Sequence, residues 1–147
     1  SILNAKLIIT ATIAVSLCKV IQVILLYINF KLTGNTTTAN QVSWNRQLDL
    51  KNFYYLYVFF STCLVAPLLE EFIFRFLVFR KLKGTWGILV SALLFSFTHA
   101  PTSWLELLIY LSYGFTLGYL YSKFNGIYTT LPTHSFVNFL SFIVMIL

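Results

Sequence analysis

The residues able to do chemistry in this chain begin with Glu70, Glu71 and Arg75, set in an almost wholly apolar stretch. Residues 54–69 carry no charge, and residues 76–79 are apolar again. An ionised carboxylate in hydrocarbon costs roughly 3 kcal/mol on insertion scales and more in simulation. Two adjacent acids also repel each other. Such a pair is tolerable only if it faces a polar, protein-lined cavity. On a helix, Glu71 and Arg75 share a face at i,i+4, while Glu70 points about 100° away from Glu71. Glu71 thus has a cation of its own and Glu70 has none nearby. The asymmetry predicts one structural acid and one working acid.

The only histidines, His99 and His134, also fall in apolar segments, and Asn138 follows His134 at helical spacing. A lone histidine in such a place is more often a hydrogen-bonded core residue. Depth argues for one site instead. At 1.5 Å per residue, Glu70 lies roughly 15 Å from Arg80, His99 roughly 20 Å from Trp86 and His134 roughly 10 Å from Ile127, all counted from one side. A carboxylate and a histidine can activate water, and a second histidine with an amide can stabilise an oxyanion. That set suits peptide-bond hydrolysis. The rival is a zinc site of Glu70, His99 and His134 with water as fourth ligand, assembled across helices because no H-E-x-x-H occurs. Ser96 and Ser135 lie near the histidines, but no strand-turn-helix elbow surrounds them. Cys18 and Cys63 read as apolar packing residues.

The 147 residues are 59% hydrophobic and only 10% charged, with a mean hydropathy of +0.82. A soluble domain carries about 25% charged residues. The chain therefore reads as all-α, a polytopic transmembrane bundle with an intramembrane polar cavity. A single domain covers 1–147, with its motif-bearing core at 53–147. Continuous apolar runs argue against a membrane β-barrel, whose strands alternate. The net charge of +6 is loop charge that meets anionic lipid, with no nucleic-acid partner implied. The chain opens on Ser1, which suggests trimming or processing.

Five membrane segments are predicted, over 2–30, 53–80, 86–99, 104–121 and 127–147. Lys19 and Gln22 interrupt the first, and read as snorkelling or packing residues in preference to substrate binding. A short interfacial helix around Trp44 and Leu48 is expected over 41–51. Pro67 should kink the second segment or open a turn. Gly114 and Gly118 allow close helix contact, and Glu106 reads as a cap or pairing residue. Arg80, Lys81, Lys83 and Lys123 bias one side to the cytoplasm, leaving Lys31, Arg46 and Lys51 outside.

Glu70-Glu71-x-x-x-Arg75, Phe95-x-x-x-His99 and His134-x-x-x-Asn138 together resemble the three motifs of the CPBP family. These are the CAAX-protease and bacteriocin-processing (Abi) intramembrane proteases, related to type II CAAX prenyl endopeptidases. The resemblance implies a helical core with a cavity open to the cytoplasm. It implies that Glu70 and His99 activate water, that Glu71 and Arg75 brace the site, and that His134 with Asn138 stabilises the oxyanion. Members have been described both as metalloproteases and as glutamate-type proteases. The glutamate type without cofactor is favoured here over zinc, because Glu71 is committed to Arg75 and Asn138 is a poor zinc ligand. The implied partners are the lipid bilayer and a membrane-associated peptide or protein substrate. The implied setting is a bacterial cell membrane, with bacteriocin or signal-peptide maturation or self-immunity as the role. In a eukaryote, removal of the last three residues after a prenylated cysteine would be implied. The alternatives are a non-catalytic immunity or sensor-kinase-regulating partner protein, and proton or ion translocation. The chain departs from the family in its five segments, where members often have more.

Overall fold

A computed structural model describes residues 2–48 and 53–146, and among these every regular element is a helix. We number them α1 (Ile2–Thr33), α2 (Ala39–Leu48), α3 (53–81), α4 (Gly84–Thr98), α5 (Trp104–Phe124) and α6 (Ile127–Ile146). Asn4–Thr33 within α1, and α6, are long and apolar enough to cross a membrane, and α4 is a shorter apolar helix. Large side chains such as Leu17, Val23, Leu32 and Val144 stand exposed along α1 and α6. A continuous apolar exterior of this kind is stable in hydrocarbon and not in water.

The core forms where helices approach most closely. A Cβ on Gly114 would lie 2.9 Å from the Ala92 Cα, and one on Gly118 would lie 3.4 Å from the Ile88 Cα. The two glycines thus let the α5 backbone settle directly on α4. α1 packs along the other face of α5, where Gln22 Nε2 donates to the Ile109 carbonyl at 3.2 Å. Cys18 joins a buried cluster with Phe74, Phe95, Tyr113, Leu117 and Val137. Cys63 joins a second cluster with Val58 and Phe142, and both thiols are free.

α2 begins earlier than the expected interfacial helix, and residues 49–51 of that expectation lie outside the described residues. Trp44 packs on the Val58–Cys63–Phe142 cluster, so α2 is docked on the bundle. Glu106 holds its start in place. One carboxylate oxygen accepts from the Ala39 N–H at 3.1 Å and the other from the Thr102 N–H at 2.9 Å. Ser103 caps α5 by accepting from the Glu106 N–H at 3.2 Å.

Pro67 does not end its segment. α3 runs through it with two wider, π-helical turns, Ser61–Val65 and Glu71–Leu77, on either side of the α-helical Ala66–Glu70. The hydrogen bonds explain this pattern. The Ala66 N–H bonds the Ser61 carbonyl, five residues back. In that register the Thr62 carbonyl would look to residue 67, and proline has no N–H. Asn138 on α6 fills the gap, its Nδ2 donating to the Thr62 oxygen at 2.8 Å. The unpaired carbonyl thus becomes a cross-link between α3 and α6. Asn138→Ala should cost about 1–3 kcal/mol by stranding that carbonyl. Pro67→Ala, which restores an N–H, should recover part of the loss in the double variant. Thermal unfolding in detergent checks this, and strictly additive effects would contradict the assignment.

Candidate active site

The wide Glu71–Leu77 turn of α3 carries Glu71 and Arg75, both fully buried. Arg75 Nε lies 3.5 Å from Glu71 Oε2, and the guanidinium sits 4.6 Å over the Phe95 ring of α4. The other Glu71 oxygen lies 3.0 Å from His134 Nδ1 on α6. A carboxylate can only accept, so Nδ1 carries the proton in this pair. His134 Nε2 is thereby turned toward Glu70, whose Oε2 lies 3.6 Å away. The carboxylate–imidazole pair sets the ring orientation, as a second carboxylate does for many catalytic and metal-bound histidines.

His99 ends α4 and is oriented in a different way. Its Nδ1–H donates to the Phe95 carbonyl at 2.9 Å, which leaves Nε2 with a free lone pair. The ring stacks on Tyr110 with centroids 4.3 Å apart, and the Tyr110 hydroxyl meets Thr38 Oγ1 at 2.6 Å. Phe95 is the packing centre of the site. Its ring centroid is 4.6 Å from that of His99, 5.7 Å from His134 and 5.9 Å from Tyr113.

Glu70, His99, His134 and Asn138 all line one open pocket of about 590 Å³. α1 lines it with Lys19, Gln22 and Leu26, the middle of α3 with Leu69 and Ile73, and the loop before α2 with residues 36–38. Glu71 and Arg75 lie behind it, out of solvent reach.

Sequence spacing does not show which partners these side chains take. Asn138 donates to the carbonyl that Pro67 strands, and His134 Nδ1 is held by Glu71. Glu70 meets His134 at 3.6 Å, and among the described residues no ion pair joins it to His99. The polar rim of the pocket is formed by residues 36–38 and the first half of α2, with Asn40, Gln41 and Trp44. The Thr38–Tyr110 and Ala39–Glu106 bonds hold it there.

Among the described residues no group of three His, Cys, Asp or Glu side chains is placed to hold a metal ion. Phe95 packs against both imidazoles. Ser96 is buried, with its hydroxyl turned back on the carbonyls of Ala92 and Leu93, each at 2.9 Å. It offers no nucleophile. Nothing in the sequence marks Tyr110 and Tyr113 as pocket residues. They share a face of α5 at i,i+3, a spacing that by itself reads as ordinary core.

Arg75→Ala should cost about 3–5 kcal/mol, because it strands Glu71 as an unpaired buried charge. Adding Glu71→Gln should return a substantial part of that loss. Unfolding midpoints in detergent for the two single variants and the double variant measure it.

Comparison with known proteins gives a family and two curated relatives. A family model described as Type II CAAX prenyl endopeptidase Rce1-like matches residues 52–140. "Putative membrane peptidase YdiL" of Bacillus subtilis (strain 168) is 33% identical over 79 residues, covering 51% of this chain and 32% of that protein. "UPF0177 protein YxdF" of Lactococcus lactis subsp. lactis (strain IL1403) is 36% identical over 76 residues, covering 51% of this chain and 42% of that protein. The chain thus spans less than half the length of these curated relatives. No solved structure matches it. The family match takes in all three motifs on the helices that build the pocket, and the chain belongs to the Rce1-like family of type II CAAX prenyl endopeptidases, as an integral membrane protein.

Proposed function

We propose that the chain is the catalytic core of an intramembrane endopeptidase, with α1, α3, α4, α5 and α6 as its membrane segments. The observation that carries this reading is the placement of Glu70. It is the acid that reaches the pocket, while its neighbour Glu71 is spent on Arg75 and His134. Glu70 takes a proton from the attacking water as general base. The free His99 Nε2 accepts the second hydrogen of that water and orients it. The amide of Asn138 has one hydrogen left after the Thr62 bond, and it supports the oxyanion. Glu70 then returns that proton to the leaving amine, and His134, steadied by Glu71, turns its Nε2 toward Glu70 and positions it. The reading needs no cofactor.

The substrate is a membrane-associated peptide or protein. It enters sideways from the bilayer, between the pocket faces of α1 and α3. The basic 80–83 turn faces the cytoplasm. Water reaches the site through the rim formed by residues 36–38. Both relatives above are bacterial proteins. That supports a bacterial cell membrane, and we assign the chain a role there in bacteriocin or signal-peptide maturation or self-immunity.

Glu70→Gln keeps the shape and removes the base. It should lower cleavage by roughly a hundredfold to ten-thousandfold with an unchanged unfolding midpoint. Wild-type rates in that variant would remove Glu70 from the mechanism. Protein stripped with a strong chelator, and shown metal-free by elemental analysis, should keep its activity. Loss on stripping with recovery on stoichiometric zinc would replace this mechanism by a metal-dependent one.

A further inference from the structure

One charge in the pocket has no part in the proposed chemistry. Lys19 lies deep in α1, well separated from Lys6 and Lys31 near the helix ends. At 1.5 Å per residue it is roughly 20 Å from each of those positions, too far for its stem to snorkel to an interface. It lines the pocket with Glu70 and His99. Its orientation is fixed one turn on, where the Gln22 amide is tied to the Ile109 carbonyl at 3.2 Å and sets the rotation of α1 against α5. No ion pair among the described residues includes Lys19. The pocket acid Glu70 faces His134, Glu71 is taken by Arg75 and His134, and Glu106 binds two backbone N–H groups. A lone ammonium at this depth is costly unless it serves a partner that arrives in the cavity.

We propose that Lys19 is a specificity residue of the pocket, pairing its ammonium with a carboxylate carried by the bound peptide. The carboxylate is either a free C-terminal group or an acidic side chain. The proposal rests on the endopeptidase reading and adds a substrate requirement to it. α1 lies outside the region matched by the family model, so the requirement belongs to this chain's own first helix.

The test uses the full chain in detergent micelles, in a Glu70→Gln background so that bound peptide is not consumed. Three fluorescent apolar peptides are titrated: one with a free C-terminal carboxylate, the same peptide as C-terminal amide, and the amide with one internal glutamate. The free acid or the glutamate peptide should bind at least about tenfold more tightly than the plain amide, and which one does so identifies the source of the carboxylate. Lys19→Met should abolish that difference by weakening only the acidic peptide, and Lys19→Arg should preserve it. Methionine suits an apolar helix, and an unchanged unfolding midpoint shows that the fold survives. Equal binding of all three peptides, no binding, or equal weakening of all three by Lys19→Met would overturn the proposal. If wild-type protein cleaves none of them while Lys19-dependent binding holds, the protease reading fails and the carboxylate site stands. Cleavage with no dependence on Lys19 gives the reverse result.

Discussion

The structure depends on one carboxylate with no access to solvent. Glu71 lies between the Arg75 guanidinium and the His134 imidazole, and each occupies a different oxygen. Burying these charges is expensive, and the attraction repays the cost only when every partner is in place. The arrangement therefore acts as a constraint. It ties α3 to α6 through His134 and seats Arg75 on Phe95 of α4. Apolar surfaces give helices little reason to associate in lipid, where polar contacts and close packing decide the register. The buried acid sets that register here, and as a result the half-buried acid beside it faces the pocket.

The second cross-link between the same two helices comes from a backbone defect. Pro67 interrupts the hydrogen-bond ladder of α3, the chain widens into π-helical turns, and Asn138 takes the carbonyl left over. Wide turns of this kind are frequent at functional sites, because they re-aim side chains without ending the helix. His134 and Asn138 are one turn apart on α6, and each clamps α3 at a separate point. Glu70 lies between those points, so the helix that carries it is held on both sides.

Much of the site was legible from residue type and depth alone. Charged and imidazole groups are too costly in lipid to be scattered, so similar depths in separate apolar segments pointed to one pocket, and Glu70, His99, His134 and Asn138 all line it. Partner choice was not legible. That Asn138 serves Thr62 depends on which carbonyl the proline strands and on how α6 sits against α3. That His134 touches both acids depends on the packing of Phe95, which the sequence shows only as one more aromatic. The rim was hidden for the same reason. Thr38 meets Tyr110, and the Ala39 N–H meets Glu106, across nearly half of the chain. Sequence spacing carries no signal for contacts of that range. The helices were legible because apolar runs of sufficient length have few other stable forms in a membrane.

The central claim is that Glu71 accepts from His134 and so fixes the orientation of that ring within the site. The chain has only two histidines, which makes the claim directly measurable. Nitrogen NMR of histidine-labelled protein in lipid should show Nδ1 protonated in both rings, at His134 by the bond to Glu71 and at His99 by the bond to the Phe95 carbonyl. Glu71→Gln should alter the His134 signals and leave those of His99 in place. A His134 ring with a bare Nδ1, or His134 signals indifferent to Glu71→Gln, would contradict the account.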